Sequence, residues 1–153
     1  MSNLVIRAAD RTNLPHLLDL YVYLNPDDTR CSPEDAVAIL DHLMRYERSV
    51  ILVGTIGEVL VTTCTLIVIP NLTRGGKPYA LIENVVTHTD YREAGFGRKV
   101  LNVAVERAWE AECYKVMLMT GSKKPSTLAF YKAAGFEQSK TGFQVRRVAV
   151  RPE

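Results

Sequence analysis

The sequence predicts a mixed α/β (α+β) fold: one sheet, antiparallel in its first half, with a parallel pair of strands further on. Three observations carry this. Strand-like and helix-like segments follow one another in the order β-α-α-β-β-β-α-β-α-β. A mostly apolar run, residues 80–88, passes through a glycine-bearing turn into an amphipathic helix over 97–112. A second apolar strand, 114–120, follows that helix. A strand reached through a helical crossover lies parallel to the strand before it.

Each element has a local reason. Leu4-Val5-Ile6-Arg7 is a short first strand. Asp10 reads as the N-cap of a helix that carries Leu14, Leu17, Leu18 and Tyr21 on one face. Asn25-Pro26-Asp27-Asp28 breaks it. Ser32-Pro33-Glu34-Asp35 starts the next helix, with serine as cap, proline in the first turn and acids at the positive end of the dipole. Val37, Leu40, Leu43 and Met44 form its apolar face. Residues 49–55 and 58–69 are two β-rich runs joined by Ile56-Gly57, a hairpin signal. Residues 70–78 make a longer turn. The strand at 80–88 is apolar enough to be central. Val100, Leu101, Ala104, Val105 and Ala108 recur at helical spacing in the helix that follows. Residues 126–134 form a short helix stopped by Gly135, and 143–150 a last strand. With no repeat, low-complexity segment or linker, residues 1–153 read as one domain.

Bulk properties exclude several classes. The chain has 153 residues, 47% apolar and 24% charged, which suits a globular domain with a sizeable core. A net charge of +2 without a lysine/arginine run argues against nucleic acid. No apolar stretch approaches the roughly 20 residues of a membrane helix. The start, Met1-Ser2-Asn3-Leu4-Val5-Ile6-Arg7, lacks the basic and long apolar regions of a signal peptide. The three cysteines, Cys31, Cys64 and Cys113, are scattered and odd in number. That fits reduced thiols in the cytoplasm and neither a disulfide framework nor a zinc site, so no metal is expected.

The most specific stretch is Tyr91-Arg92-Glu93-Ala94-Gly95-Phe96-Gly97-Arg98. A buried strand, a glycine turn and a helix N-terminus form an anion cradle. Glycine permits positive φ and close backbone approach. The first helical N–H groups lack intrahelical partners, and the dipole favours negative charge there. A phosphorylated ligand is expected at this point. Glu83 stands out for a different reason: a carboxylate inside an apolar run is paired, hydrated or functional.

With these features in place, the chain resembles the GNAT superfamily of acyl-CoA-dependent N-acyltransferases. Three segments carry the resemblance: the turn Arg92-Glu93-Ala94-Gly95-Phe96-Gly97, the preceding strand Leu81-Ile82-Glu83-Asn84-Val85-Val86-Thr87-His88, and Leu128-Ala129-Phe130-Tyr131-Lys132-Ala133-Ala134-Gly135-Phe136. Gly75-Gly76-Lys77 and Cys113-Tyr114-Lys115-Val116 are further similar to the glucosamine-6-phosphate N-acetyltransferase-like members, which carry Glu-Asp where this chain has Glu83-Asn84. The segment Gly121-Ser122-Lys123-Lys124-Pro125 also departs from that group, which has Asp-Cys there.

The resemblance implies a mostly antiparallel sheet of six to seven strands, flanked by about four helices and splayed between the central parallel strands. It implies acetyl-CoA as co-substrate and a primary amine of a small molecule as acceptor. The backbone N–H groups of Ala94, Gly95, Phe96, Gly97 and Arg98 would take the pyrophosphate, with Arg92 and Arg98 adding charge. Val85 and Val86 would offer backbone groups to the pantetheine arm. An N–H near Asn84 or Val85 would face the developing oxyanion, or Asn84 would orient the acceptor. Glu83, partly buried, would act as general base, directly or through a water, with His88 as its rival. Tyr131 would hydrogen-bond the departing thiolate. No cysteine sits beside a histidine in these motifs, so direct amine attack is expected over an acyl-cysteine. Arg30, Arg74 and Lys77 either face an anionic acceptor or are surface charges. A homodimer is implied, exchanging its last strand. A protein or peptide acetyltransferase and a non-catalytic acyl-CoA sensor remain the alternatives.

Overall fold

The computed structural model describes residues 3–149. The chain divides into two compact units, one ending at Leu118 and the other beginning at Met119. The first contains β1 (Leu4–Ala8), α1 (Leu14–Tyr21), α2 (Pro33–Leu43), β2 (Val50–Ile56), β3 (Val59–Ile69), β4 (Tyr79–Thr87), α3 (Phe96–Glu110) and β5 (Val116–Leu118). The second contains α4 (Pro125–Ala133).

The fold is mixed α/β, with a five-stranded sheet in the order β1-β2-β3-β4-β5. The first three pairings are antiparallel and β4 runs parallel to β5, as the crossover through α3 requires. Successive strand side chains point to opposite faces. Cys64 faces the Val100 carbonyl of α3 (Sγ–O 3.9 Å), whereas its neighbour Thr65 hydrogen-bonds Tyr21 of α1. The two helices therefore cover opposite faces of the sheet. Leu14, Leu17, Leu20, Ala36 and Leu40 fill the α1–α2 side with Val53, Leu60 and Val86. Phe96, Val100, Leu101, Ala104 and Ala108 are the buried apolar residues of α3.

The caps hold with one refinement. Asp10 caps a 3-10 turn (Arg11–Asn13) that leads into α1. Thr12 N–H donates to the Asp10 carboxylate (2.8 Å), and Asp10 N–H donates to the Asn13 side chain (2.9 Å), a reciprocal capping box. Ser32 accepts from Asp35 N–H at 3.1 Å and starts α2. Met44 is not on the apolar face of α2: it lies beyond the helix and is 61% exposed, while Ala36 is buried in its place.

Two strand expectations are corrected. The strand placed at 114–120 pairs only over Val116–Leu118. The last strand placed at 143–150 does not form: residues 143–149 lie in no ladder, and residue 150 lies outside the described residues. Phe143 is 91% and Val145 99% exposed. An apolar segment makes a strand only where a partner edge pairs with its N–H and C=O groups. The sheet of the described residues thus has five strands, not six or seven.

Candidate acyl-CoA site

The site is built around an irregularity in β4. Thr65 stands opposite Glu83 and Thr63 opposite Val86, so Cys64 faces two residues, Asn84 and Val85. This is a β-bulge, and Asn84 carries its strain at φ +53°. Asparagine tolerates the left-handed region better than most residues because its short polar side chain bonds locally. The bulge resets the strand's alternation. Three residues apart, Glu83 and Val86 would lie on opposite faces of a regular strand. Here each shares a face with its partner, Thr65 or Thr63, on the α1–α2 side.

Pairing of β4 with β5 ends at Ile82 opposite Leu118, immediately before the bulge. Beyond it β4 has no ladder partner on that side among the described residues. His88 N–H donates to the Val61 carbonyl (2.8 Å) on the β3 side. In a trans peptide the C=O points opposite to the next N–H, so the Thr87 carbonyl faces the side away from β3. The ladder repeats every two residues and turns the Val85 carbonyl the same way. Val86 differs: its groups face β3, where its carbonyl accepts from Thr62 Oγ1 (3.3 Å). Of the expected pair, Val85 and not Val86 offers backbone to this gap.

The cradle lies just after β4. His88 opens a 3-10 turn (Thr89–Tyr91), and Glu93 (φ +64°) and Gly95 (φ +82°) both adopt the left-handed region before α3 starts. The first α-helical bond at this end is Lys99 N–H to the Gly95 carbonyl at 3.1 Å. The N–H groups of Ala94, Gly95, Phe96, Gly97 and Arg98 have no acceptor among the described residues, and no side chain caps the helix. Nothing lies within 4 Å of a Cβ built on Gly95, so the space over this turn is open. Arg92 Nε donates to the Thr87 carbonyl (3.2 Å), which sets a guanidinium at the mouth of the gap. Arg98 is exposed in the first turn of α3.

Glu83 sits at the bulge and is exposed, which corrects the partly buried position expected for it. Tyr21, on α1, hydrogen-bonds Thr65, the residue opposite Glu83. Burial raises the phenol's pKa, outweighing the lowering by that hydrogen bond, so Tyr21 holds its proton. The signal in the sequence was a hydroxyl-bearing ring at the end of an apolar helix face. His88 has both ring nitrogens engaged, Nδ1 by Asp90 N–H (3.1 Å) and Nε2 by Tyr23 Oη (3.1 Å). Tyr131 belongs to the second unit, on α4, with its ring 5.0 Å from Phe130 and 6.5 Å from Phe136. The three cations that could face an anionic acceptor have partners within the first unit. Arg30 pairs with Asp19 (2.7 Å), Lys77 with Glu112 (3.6 Å), and Arg74 lies 5.4 Å over the Tyr114 ring. Burial pushes the Cys64 thiol up to about 12 and raises Cys113 as well, which disfavours either thiolate as a nucleophile. Among the described residues no group of three or more His, Cys, Asp or Glu could hold a metal ion.

The site thus combines a parallel pair whose pairing stops at Ile82, a bulge just beyond that point and an uncapped helix N-terminus after the strand. The profile of the Acetyltransferase (GNAT) family matches residues 17–136, and the chain belongs to this family. A glucosamine 6-phosphate N-acetyltransferase from Trypanosoma brucei brucei is 36% identical over 77 residues, covering 50% of this chain and 50% of that protein. The match thus spans about half the length of that relative. The structure is similar to a putative acetyltransferase from Agrobacterium tumefaciens str. C58, with TM-score 0.89, 46% identity, and 94% of this chain and 99% of the other covered. It also shares its fold with an aminoglycoside N-acetyltransferase in complex with CoA, at TM-score 0.78 and 16% identity, covering 97% of each chain. No helix among the described residues is long and apolar enough to cross a membrane.

Proposed function

We propose that this protein binds acetyl-CoA and transfers its acetyl group to a primary amine of a small molecule, by direct attack within a ternary complex. The observation that carries the reading is the coincidence of two features: β4–β5 pairing stops at Ile82, one residue before the bulge region, and unpaired N–H groups cluster at the start of α3. The residues fit an acyl-CoA. Backbone donors from Ala94 to Arg98 suit a pyrophosphate, Arg92 and Arg98 add charge, and the Val85 carbonyl and Thr87 N–H suit the amides of an extended arm. The bound co-substrate supplies the activated acyl group. Both units act in this reading as one acetyltransferase domain.

This chain's own residues supply position and proton transfer. Holding the two reactants in one pose accounts for much of the rate. Amines arrive protonated near neutral pH, and Glu83 removes that proton, directly or through a water. Its exposure at the bulge keeps it accessible to both routes. A backbone N–H at Asn84 or Val85 meets the acyl oxygen, and Tyr131 protonates the leaving sulfur. The relative from T. brucei is named for an amino sugar phosphate, and amino sugars are accordingly the first acceptor class to test. The exposed apolar residues Phe143, Val145 and Val148 are consistent with a homodimer in which residues 143–149 pair with a second copy.

The test is a turnover screen with free thiol as readout, against amines, amino sugars, polyamines and peptides. Acetyl-CoA-dependent thiol release with a small amine supports the proposal. Release with peptides alone would make the chain a protein acetyltransferase. Tight acetyl-CoA binding with no turnover on any acceptor would favour a sensor.

A further inference from the structure

The hydrogen bonds around His88 reveal a role other than that of a base. Its Nδ1 accepts from Asp90 N–H at 3.1 Å, so that nitrogen carries no proton. The ring proton of the neutral imidazole then sits on Nε2, which donates to Tyr23 Oη at 3.1 Å. Neither nitrogen is left for a substrate. The ring is also packed on two sides. Its centroid lies 4.8 Å from that of Tyr23 and 5.5 Å from that of Tyr91, the latter edge-on. Tyr91 in turn lies 6.4 Å from Phe96, the buried first residue of α3.

A run of rings, Tyr23–His88–Tyr91–Phe96, therefore leads from the exit of α1 to the first turn of α3. It brackets residues 92–95, which contain the left-handed Glu93 and Gly95. A left-handed non-glycine residue persists only where its surroundings over-determine it. The backbone here is held by Tyr91 N–H to the His88 carbonyl (2.9 Å), by the His88 side chain on Asp90, and by Arg92 on Thr87.

We propose that His88 is a positioning residue for acetyl-CoA. By accepting Asp90 N–H and bracing Tyr91, it fixes the turn that aims the cradle's N–H groups at the pyrophosphate. Tyr23 assists by holding the ring in the tautomer that leaves Nδ1 free to accept. The proposal rests on the acetyl-CoA reading of the cradle. It assigns His88 no contact with the ligand.

The test is calorimetry with acetyl-CoA on the full chain, with thermal melts alongside. His88→Ala should bind about tenfold more weakly, the order expected for losing a buttressing hydrogen bond and ring contact. His88→Asn, whose side-chain oxygen can accept Asp90 N–H, should return to within about twofold of the wild type. Tyr23→Phe should fall in between. Wild-type affinity in His88→Ala would overturn the proposal, and so would a His88→Asn protein no better than the alanine variant. Should His88→Ala fail to fold, His88→Asn decides: near-native affinity supports the proposal and a tenfold loss overturns it. Absence of binding by the wild type would sink the acetyl-CoA reading itself, a result distinct from any pattern among the variants.

Discussion

Replacing Asn84 by valine tests whether the backbone conformation at the bulge, and not the amide side chain, opens the acyl-CoA gap. Asn84 holds φ +53° inside β4. A β-branched residue there has two options. It can keep the left-handed conformation, which costs roughly 1–2 kcal/mol. Or the bulge can relax and the strand slip by one residue, which turns Val86 from the core to the other face. Val86 is only 6% exposed, and withdrawing a buried valine costs about 1.5–3 kcal/mol. Holding the strain is the cheaper course, so Asn84→Val should fold with the bulge intact and lose roughly 1–2 kcal/mol. For a chain of this size that lowers the melting temperature by about 2–8 °C. Asn84→Gly should stay within about 0.5 kcal/mol of the wild type, because glycine accepts positive φ without a Cβ clash. Acetyl-CoA affinity should follow the same order, with glycine near native and valine weaker. Thermal melts by circular dichroism and calorimetry with acetyl-CoA read both quantities. A valine variant as stable as the wild type, or a glycine variant that loses as much affinity as valine, would refute the reasoning and shift the role to the amide.

Gly54→Ala should destabilise by about 1–3 kcal/mol, since its Cβ would come within 2.6 Å of Thr62 Cγ2 and 3.2 Å of Leu4 Cδ1 in a packed sheet; urea denaturation checks this, and an unchanged midpoint would show that the strand gives way easily. Cys64 makes stability fall at alkaline pH. Burial holds its folded pKa at about 12, above the ordinary thiol value of 9.0, so its contribution is intact below about pH 9 and is lost as pH rises toward 12. The slope approaches about 1.4 kcal/mol per pH unit, and Tyr21, also raised, acts in the same direction. Denaturation of wild type and Cys64→Ala at several alkaline pH values should show a flatter profile for the variant; parallel profiles would remove Cys64 from the account. Glu83→Gln should depress turnover most at lower pH, where free amine is scarcest, and Tyr131→Phe should lower turnover more than acetyl-CoA affinity, by about 10²-fold or less. Wild-type rates across the pH range would dismiss the base, and a Tyr131→Phe enzyme of full activity would dismiss the acid.

Much of this protein was legible along the chain because the relevant physics is local. Side-chain period, Ser32 as a cap, and the glycine at the entry to α3 are set by a handful of neighbouring residues. They located four helices, the order of the strands, the parallel crossover and the cradle with boundaries off by only a few residues. The Arg92–Arg98 turn could be read because the donors it offers are backbone groups, present whatever the side chains are.

What stayed hidden depends on partners distant in sequence. Residues 143–150 are apolar enough to read as a strand, yet apolar composition does not supply an edge to pair with. Glu83 read as partly buried because its neighbours are apolar, but exposure is set by what packs across from it. A regular strand would set Glu83 and Val86 on opposite faces; the extra residue at the bulge, defined only against β3, puts them on one. His88 reads as a rival base along the chain, but Tyr23, 65 positions away, occupies its Nε2. Composition and period marked the four helices and the first five strands, and the glycine turn marked where backbone donors stand without acceptors. Register, bulge and the occupation of each polar atom belong to the assembled sheet, because every one of them is a relation between two pieces of chain that no local pattern encodes.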